Sequence, residues 1–336
     1  MGVAAFLLSA CQSPRGDQTK AATTHSPAQY VRVNQTRDRC LTLEIAVRRF
    51  TPRGHESPSV WLVGVSHLGD PDYFKTVETL LAHQEVVLYE GVRPEGGDRR
   101  HATPSRQAAL RRQAEESLQG SMARSLGLVF QLAAVDYAKT NFTHSDLSLS
   151  AMEKLFAQGS SKSDEKASQG EDETKSGRPQ FDMLVEAMDN SSSLNRLIRA
   201  FLGILESSER LQALARLAMI RLMGEVGDDL ESLTKSDPGM DRLLKVLLKA
   251  RNDKVLADLH STLRTGKGKR GVAIFYGAGH MRDLDARLRT KLGYQEREER
   301  WLPAFGVDMK AAGVSALEER MVHSLVRSQT EALRGR

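Results

Sequence analysis

Val60-Trp61-Leu62-Val63-Gly64-Val65-Ser66-His67 and Val272-Ala273-Ile274-Phe275-Tyr276-Gly277-Ala278-Gly279-His280 carry one arrangement, a short apolar run closing in Gly-x-x-His. Each run is too short for a helix of its own and suits a strand buried on both faces. A helix signal follows each histidine. Asp70-Pro71 offers an N-cap with proline at the first helical position, and Phe74, Val77, Leu80 and Leu81 form an apolar stripe. After His280, Asp283 is placed to cap a helix carrying Leu284, Leu288 and Leu292, which Gly293 stops. A second strand follows in each copy, Val86 to Tyr89 in the first and roughly Tyr294 to Trp301 in the second.

The predicted fold class is therefore α/β: duplicated strand–Gly-x-x-His–helix–strand units form a central mixed sheet, with a large helical insertion between them. The crossovers should be right-handed. Ligands of such sheets gather beyond the carboxyl ends of the strands. His67 and His280 belong at that edge, and so does Glu90, which ends the second strand of the first copy. Gly64 and Gly277 let the backbone turn as it leaves each strand. The position equivalent to Glu90 in the second copy is Pro303, so that copy brings no matching carboxylate. Two histidines and a carboxylate on one rim suit a metal site or an acid/base site. The competing reading makes each motif a turn and each histidine a helix cap.

These pieces, taken in order, resemble the TraB/GumN family. That family groups with the Tiki proteases and, more distantly, with erythromycin esterase and ChaN-like lipoproteins. The matching segments are Gly64-Val65-Ser66-His67, Leu88-Tyr89-Glu90-Gly91, Arg251-Asn252 and Gly277-Ala278-Gly279-His280. Gln131 to Tyr137 and Asn141 to Asp146 are similar to a bacterial branch. The resemblance covers roughly residues 40 to 302. It implies a mixed α/β core with a helical insertion and a metal-dependent hydrolase site, with manganese or cobalt as in Tiki members. It also leaves room for a binding role in place of chemistry.

Arg251 stands on an apolar helical stripe with Leu244, Leu248, Val255 and Leu259. A guanidinium on such a face needs an anion, since burying it alone costs several kcal/mol. Glu90, Asp146 or a substrate oxyanion is the expected partner. The bland alternative packs the stem and leaves the head in water. His144 and Asp146 lie in a break after a helical run from Ser105 to Lys139, and are candidates to add ligands or to orient His67 and His280. Asp146 could equally be the N-cap of a helix starting near Ser148. The loop after Glu90 is rich in glycine and arginine, and Arg93, Arg99, Arg100 and His101 either line the mouth of the site or are simply surface.

The chain has 336 residues, 40% hydrophobic, 5% aromatic and 27% charged, which suits a helix-rich body with a core. A net charge of +5 is mild and spread along the chain, so it does not argue for nucleic acid, and no nucleic-acid partner is expected. Residues 1–11 read as a lipoprotein signal-like segment, with Leu8-Ser9-Ala10-Cys11 as the lipobox and Cys11 as the lipidated residue. The alternative is a disordered cytoplasmic N-terminus. Residues 12–39 read as a flexible tether, 40–302 as the TraB/GumN-like domain with its insertion at 105–264, and 303–336 as a loop and terminal helix. Within the insertion, 158–180 holds no large apolar residue and is expected to be disordered. Residues 41–50 read as a half-exposed strand, and Ser315 with Glu318 as a capping box. No stretch is long enough to span a membrane as a helix, and with Cys11 lipidated Cys40 is left without a disulfide partner.

The expected function is metal-assisted hydrolysis of a peptide, amide or ester bond by a lipid-anchored protein of the bacterial cell envelope, facing outside the cytoplasm. Its substrate would be a peptide or small molecule. His67, His280 and Glu90 would be ligands of a divalent metal, Mn, Co or Zn, which the residues do not separate. Glu90 would be a ligand or the general base, and Arg251 would hold an oxyanion or a substrate carboxylate. The alternative is a non-catalytic lipoprotein that uses the same rim for haem, another ligand or a signalling peptide. In a third reading the histidines are purely structural.

Overall fold

A computed structural model describes residues 28–91, 104–161, 202–227, 241 and 243–334. Cys11, Arg93, Arg99, Arg100, His101 and residues 162–180 lie outside the described residues.

Both Gly-x-x-His runs are strands: β1 is Val31–Gln35, β2 Cys40–Pro52, β3 Val60–Val65, β4 Leu68–Gly69, β5 Val86–Tyr89, β6 Val129–Phe130, β7 Phe142–His144, β8 Val272–Gly277 and β9 Tyr294–Asp308. The helices are α1 Pro71–Ala82, α2 Pro104–Glu116, α3 Leu118–Ser125, α4 Gln131–Ala134, α5 Leu149–Ser161, α6 Glu209–Val226, α7 Arg251–Arg264, α8 Ala278–Leu292 and α9 Ala316–Leu333. A π-helical stretch, Lys245–Ala250, runs directly into α7. The fold is mixed α/β around a central sheet of parallel and antiparallel strands.

The two quoted runs pair with each other. Strands β3 and β8 are parallel and in register from Val60↔Val272 to Val65↔Gly277. On its other side β8 pairs in parallel with β5, which pairs in parallel with β7. Side chains alternate across this sheet between two cores, as a doubly covered strand demands. Trp61, Val63, Val65, Ala273 and Phe275 face the core shared with Phe74, Val77 and Leu81 of α1. Val60, Leu62, Val272, Ile274 and Tyr276 face Val255 and Leu259 of α7 and Leu284 and Leu288 of α8. Gly64 is needed for this second contact: a Cβ there would meet Ala46 O, Ile45 Cγ2 and Met281 Cγ, each at 3.2 Å.

The second strands of the two units part ways. Strand β5 joins β8 directly, whereas β9 pairs antiparallel with β2 along its whole length. The strand expected at 294–301 continues to Asp308, so Leu302 to Val307 is strand and not loop. Pro303 is accommodated because the register shifts between Leu43 and Glu44, opposite it. Strand β2 is buried rather than half-exposed, since β9 covers one edge and β1 and β3 share the other. Its charged residues are paired in place: Glu44 accepts from Arg32 Nε at 2.6 Å, and Arg48 donates to Asp285 at 3.1 Å and Glu299 at 2.5 Å.

Three other expectations change. The segment read as tether contributes β1, because Val31 and Val33 alternate with polar Arg32 and Asn34 and pack into one core, while Tyr30 packs into the other. The helical insertion contributes strands: its first helical run breaks at Gly127, with φ +62°, and β6 and β7 follow. Residues 158–161, placed in the disordered stretch, belong to α5. Asp70 is the N-cap of α1 without a side-chain cap bond, Gly293 ends α8 at φ +67°, and Ser315 and Glu318 form the capping box of α9.

Candidate functional site

Strands β3, β8, β5 and β7 run parallel and end at one edge. Their carboxyl ends deliver His67, Gly277, Glu90 and, after His144, Asp146 to that edge. Helix α8 begins immediately after Gly277, so His280 sits in its first turn. Asp283 is thus inside the helix and not its cap. It accepts instead from Asn252 Nδ2 at 2.8 Å and pairs with Arg287 at 2.8 Å.

Glu90 is the hub. Its Oε1 accepts from Arg251 Nη2 at 2.7 Å and lies 3.7 Å from His280 Nε2. Its Oε2 accepts from the Gly277 backbone N–H at 2.6 Å, at the N-terminal end of α8, where the helix favours negative charge. Burial pushes this carboxyl up, but His280, Arg251, His67 and the Gly277 N–H outweigh burial and lower it to about 2. Glu90 is therefore a firmly ionised carboxylate and a weak base, which disfavours the general-base role.

Arg251 is buried and held by two carboxylates, with Nη1 donating to the Leu247 carbonyl at 3.4 Å. Its Nε and Nη2 donate to Asp146 Oδ1 at 2.8 Å and Oδ2 at 2.6 Å, while Nη2 also serves Glu90. Asp146 is itself buried; it also accepts from the backbone of Gly91 and Leu147. Burial works against the guanidinium charge, but the two carboxylates hold it fixed and positive. Arg251 thus clamps Glu90 and is not aimed at an oxyanion. Asp146 anchors that clamp rather than capping α5, where Ser148 Oγ receives the Ala151 N–H at 3.2 Å. His144 bonds the Gly91 carbonyl through Nε2 and packs edge-on to Tyr89, so it braces the loop after Glu90.

Each histidine is held by an amide oxygen. His280 Nδ1 meets Asn252 Oδ1 at 2.8 Å. Asn252 Nδ2 donates to the Asp283 carboxylate, which fixes the amide orientation, so His280 carries its proton on Nδ1 and presents a bare Nε2 to Glu90. Burial lowers the His280 pKa and keeps the ring neutral. His67 Nδ1 meets Gln131 Oε1 at 2.8 Å, and Gln131 Nε2 donates to Tyr137 Oη at 2.8 Å. His67 is exposed at the rim with its Nε2 inward: a Cβ added to Gly277 would stand 3.3 Å from it and 3.4 Å from Glu90 Oε2.

Gln131 and the role of Asn252 were not legible from spacing. Asn252 follows Arg251 directly, and adjacent helical residues point about 100° apart. Both are nonetheless buried, at the point where the π-helical stretch gives way to α7. Such widened turns recur at functional sites.

Glu90 Oε1 and His280 Nε2 are too far apart for a hydrogen bond, and both present lone pairs. Their separation of 3.7 Å leaves room for one cation with ligand bonds of about 2 Å to each. Histidines whose other ring nitrogen is hydrogen-bonded to an oxygen are typical metal ligands. The donor chemistry therefore fits a divalent cation on an open seat made by Glu90 and His280, with His67 at its rim. Among the described residues no three His, Cys, Asp or Glu side chains form a group arranged to hold a metal ion.

No protein-family model, curated protein or solved structure matches the chain.

Proposed function

We propose that the chain is a metal-dependent hydrolase of the TraB/GumN type, acting on a peptide, amide or ester bond at the carboxyl edge of its sheet. The observation that carries this reading is the pair of imidazoles on one edge, each with Nδ1 tied to an amide oxygen, with His280 Nε2 3.7 Å from the ionised Glu90 carboxylate and His67 Nε2 close to the same Gly277 backbone. A purely structural histidine has no need of a bare nitrogen facing a carboxylate.

A divalent cation on this seat would act as a Lewis acid and lower the pKa of a bound water toward about 7. Glu90 would hold it together with His280. Arg251 keeps Glu90 ionised and oriented, and Asn252 keeps His280 in the tautomer that offers Nε2. His67 stands at the solvent side, where its Nε2 can take a proton from the attacking water and return it to the leaving group. Gln131 holds that ring in place through each transfer. The Gly277 backbone approaches both Glu90 and His67 with no side chain to intervene.

On this reading Cys11 is lipidated and tethers the enzyme to a membrane of the bacterial cell envelope, facing outside the cytoplasm. Among the described residues no helix is long and apolar enough to cross a membrane. The test is a screen of chromogenic peptides, amides and esters against the full chain with Mn, Co or Zn added. Turnover should appear with one of these ions, vanish on chelation and be absent in His67→Ala. Turnover that survives both chelation and His67→Ala would sink the reading. A non-catalytic lipoprotein that holds haem or a signalling peptide is the second reading; an exposed His67 oriented by Gln131 beside the Glu90–His280 pair favours chemistry over it.

A further inference from the structure

The opposite edge of the sheet carries a second feature that the hydrolase site does not use. Strands β3, β8 and β5 begin there in register, with Val272 facing both Val60 and Val86, and β2 ends there at Pro52 opposite Tyr294. The loop from α7 to β8 reads Thr265-Gly266-Lys267-Gly268-Lys269-Arg270-Gly271. Lys267, Lys269 and Arg270 are exposed, as are Arg264 at the end of α7, Arg53 after β2 and Lys291 at the end of α8. Among the carboxylates near this edge, Glu56 and Glu298 both face Arg49, at 3.8 and 3.5 Å, and Glu85 lies 3.9 Å from Arg270.

Gly266 and Gly268 take φ of +72° and +82°, the left-handed region that glycine allows, and the turn is closed by the Gly271 N–H on the Gly268 carbonyl at 3.0 Å. Glu85 ties the loop to the start of β5: it accepts from Arg270 N at 3.1 Å and from the Gly268 N–H. Those two N–H groups are therefore already occupied by a carboxylate, and the Lys267 and Lys269 side chains stay exposed. Six exposed basic side chains from three connections thus share one edge, which matches a surface of many anions better than a single small one.

The N-terminal chain points to the same edge. Strand β1 runs from Val31 opposite Ile45 to Gln35 opposite Leu41. Traced backwards, Tyr30 receives the Ala46 N–H at 2.9 Å and Gln29 receives Arg48 Nη2 at 2.9 Å, so the chain enters along β2 from the Pro52 end.

We propose that this basic edge docks on the headgroups of anionic phospholipids and turns the His67–Glu90–His280 edge away from the membrane. The inference rests on the tethered reading for its orientation, but the docking itself needs no anchor. Each basic side chain near an anionic bilayer strengthens association several-fold, so reversing Lys267, Lys269 and Arg270 together should weaken it at least about a hundredfold.

The experiment uses the full chain with Cys11→Ser, so that no lipid anchor contributes. Co-sedimentation is measured with vesicles of phosphatidylcholine alone and of phosphatidylcholine with phosphatidylglycerol, at low and high salt. Binding only to the anionic vesicles, lost in Lys267→Glu/Lys269→Glu/Arg270→Glu and retained in Arg320→Glu/Arg327→Glu on α9, is the expected result. The charges to be reversed are solvent-exposed, and a milder Lys267→Gln/Lys269→Gln variant covers the case in which the triple variant fails to fold. Equal binding to both vesicle types, or undiminished binding by the loop variants, would overturn the proposal. So would a preference for duplex DNA without any preference for phosphatidylglycerol. Failure here leaves anchoring through Cys11 untouched, and that is read separately from lipid attachment in the unmutated chain.

Discussion

Arg251→Met should lower the free energy of unfolding by about 3–5 kcal/mol, the usual cost of removing one partner from a buried ionic group. Methionine keeps much of the stem's packing and removes the charge. Asp146, whose side chain is fully buried, then loses its bonds at 2.8 and 2.6 Å, and Glu90 loses its bond at 2.7 Å. Two carboxylates are left facing each other without a cation. Urea unfolding of the two proteins in chelator measures the loss directly. Arg251→Met/Asp146→Asn should recover part of it, because the second change removes one of the stranded charges. A loss below about 1 kcal/mol would mean that the clamp is an exposed surface pair in solution.

Glu90→Gln should reduce divalent-cation affinity by at least about a hundredfold and turnover with it. Removing a group that merely orients a ligand costs about 10–100-fold in affinity, so a direct ligand sets a higher floor. The amide is nearly isosteric and its oxygen can still accept the Gly277 N–H, now bonded at 2.6 Å. Its NH2 group would then face the Arg251 guanidinium and His280 Nε2, so the seat would lose its negative charge and an oxygen donor, while Asp146 still holds Arg251. Titration of the apo protein with Mn, Co and Zn by calorimetry reads the affinity. Unchanged affinity with lost turnover would move Glu90 from ligand to another catalytic role.

Most of the sheet that places the site was legible because its strands are apolar runs bounded by glycine. The two Gly-x-x-His runs pair directly, and Glu90 ends the next strand at the same edge. Arg251 was legible for a physical reason as well: a guanidinium on an apolar stripe demands anions, and two of the expected partners, Glu90 and Asp146, both hold it.

What stayed hidden depends on long-range pairing. Nothing local in Tyr294 to Asp308 says that it lines β2 rather than β8, or that Pro303 meets a shifted register. The two-residue strand β6 is too short for any periodicity. Gln131 and Asn252 act through single contacts to ring nitrogens, at 2.8 Å each, and no spacing rule encodes such a contact. Asp283 looked like a cap because it stands three residues beyond the motif, but the helix begins as soon as the strand ends at Gly277.

The most direct test of the central claim is the divalent-metal content of the full chain, wild type against His67→Ala/His280→Ala, after reconstitution and removal of loose ions. One equivalent of Mn, Co or Zn in the wild type and none in the double variant is the predicted result. Absence of stoichiometric metal in the wild type, or equal metal in both proteins, would contradict it.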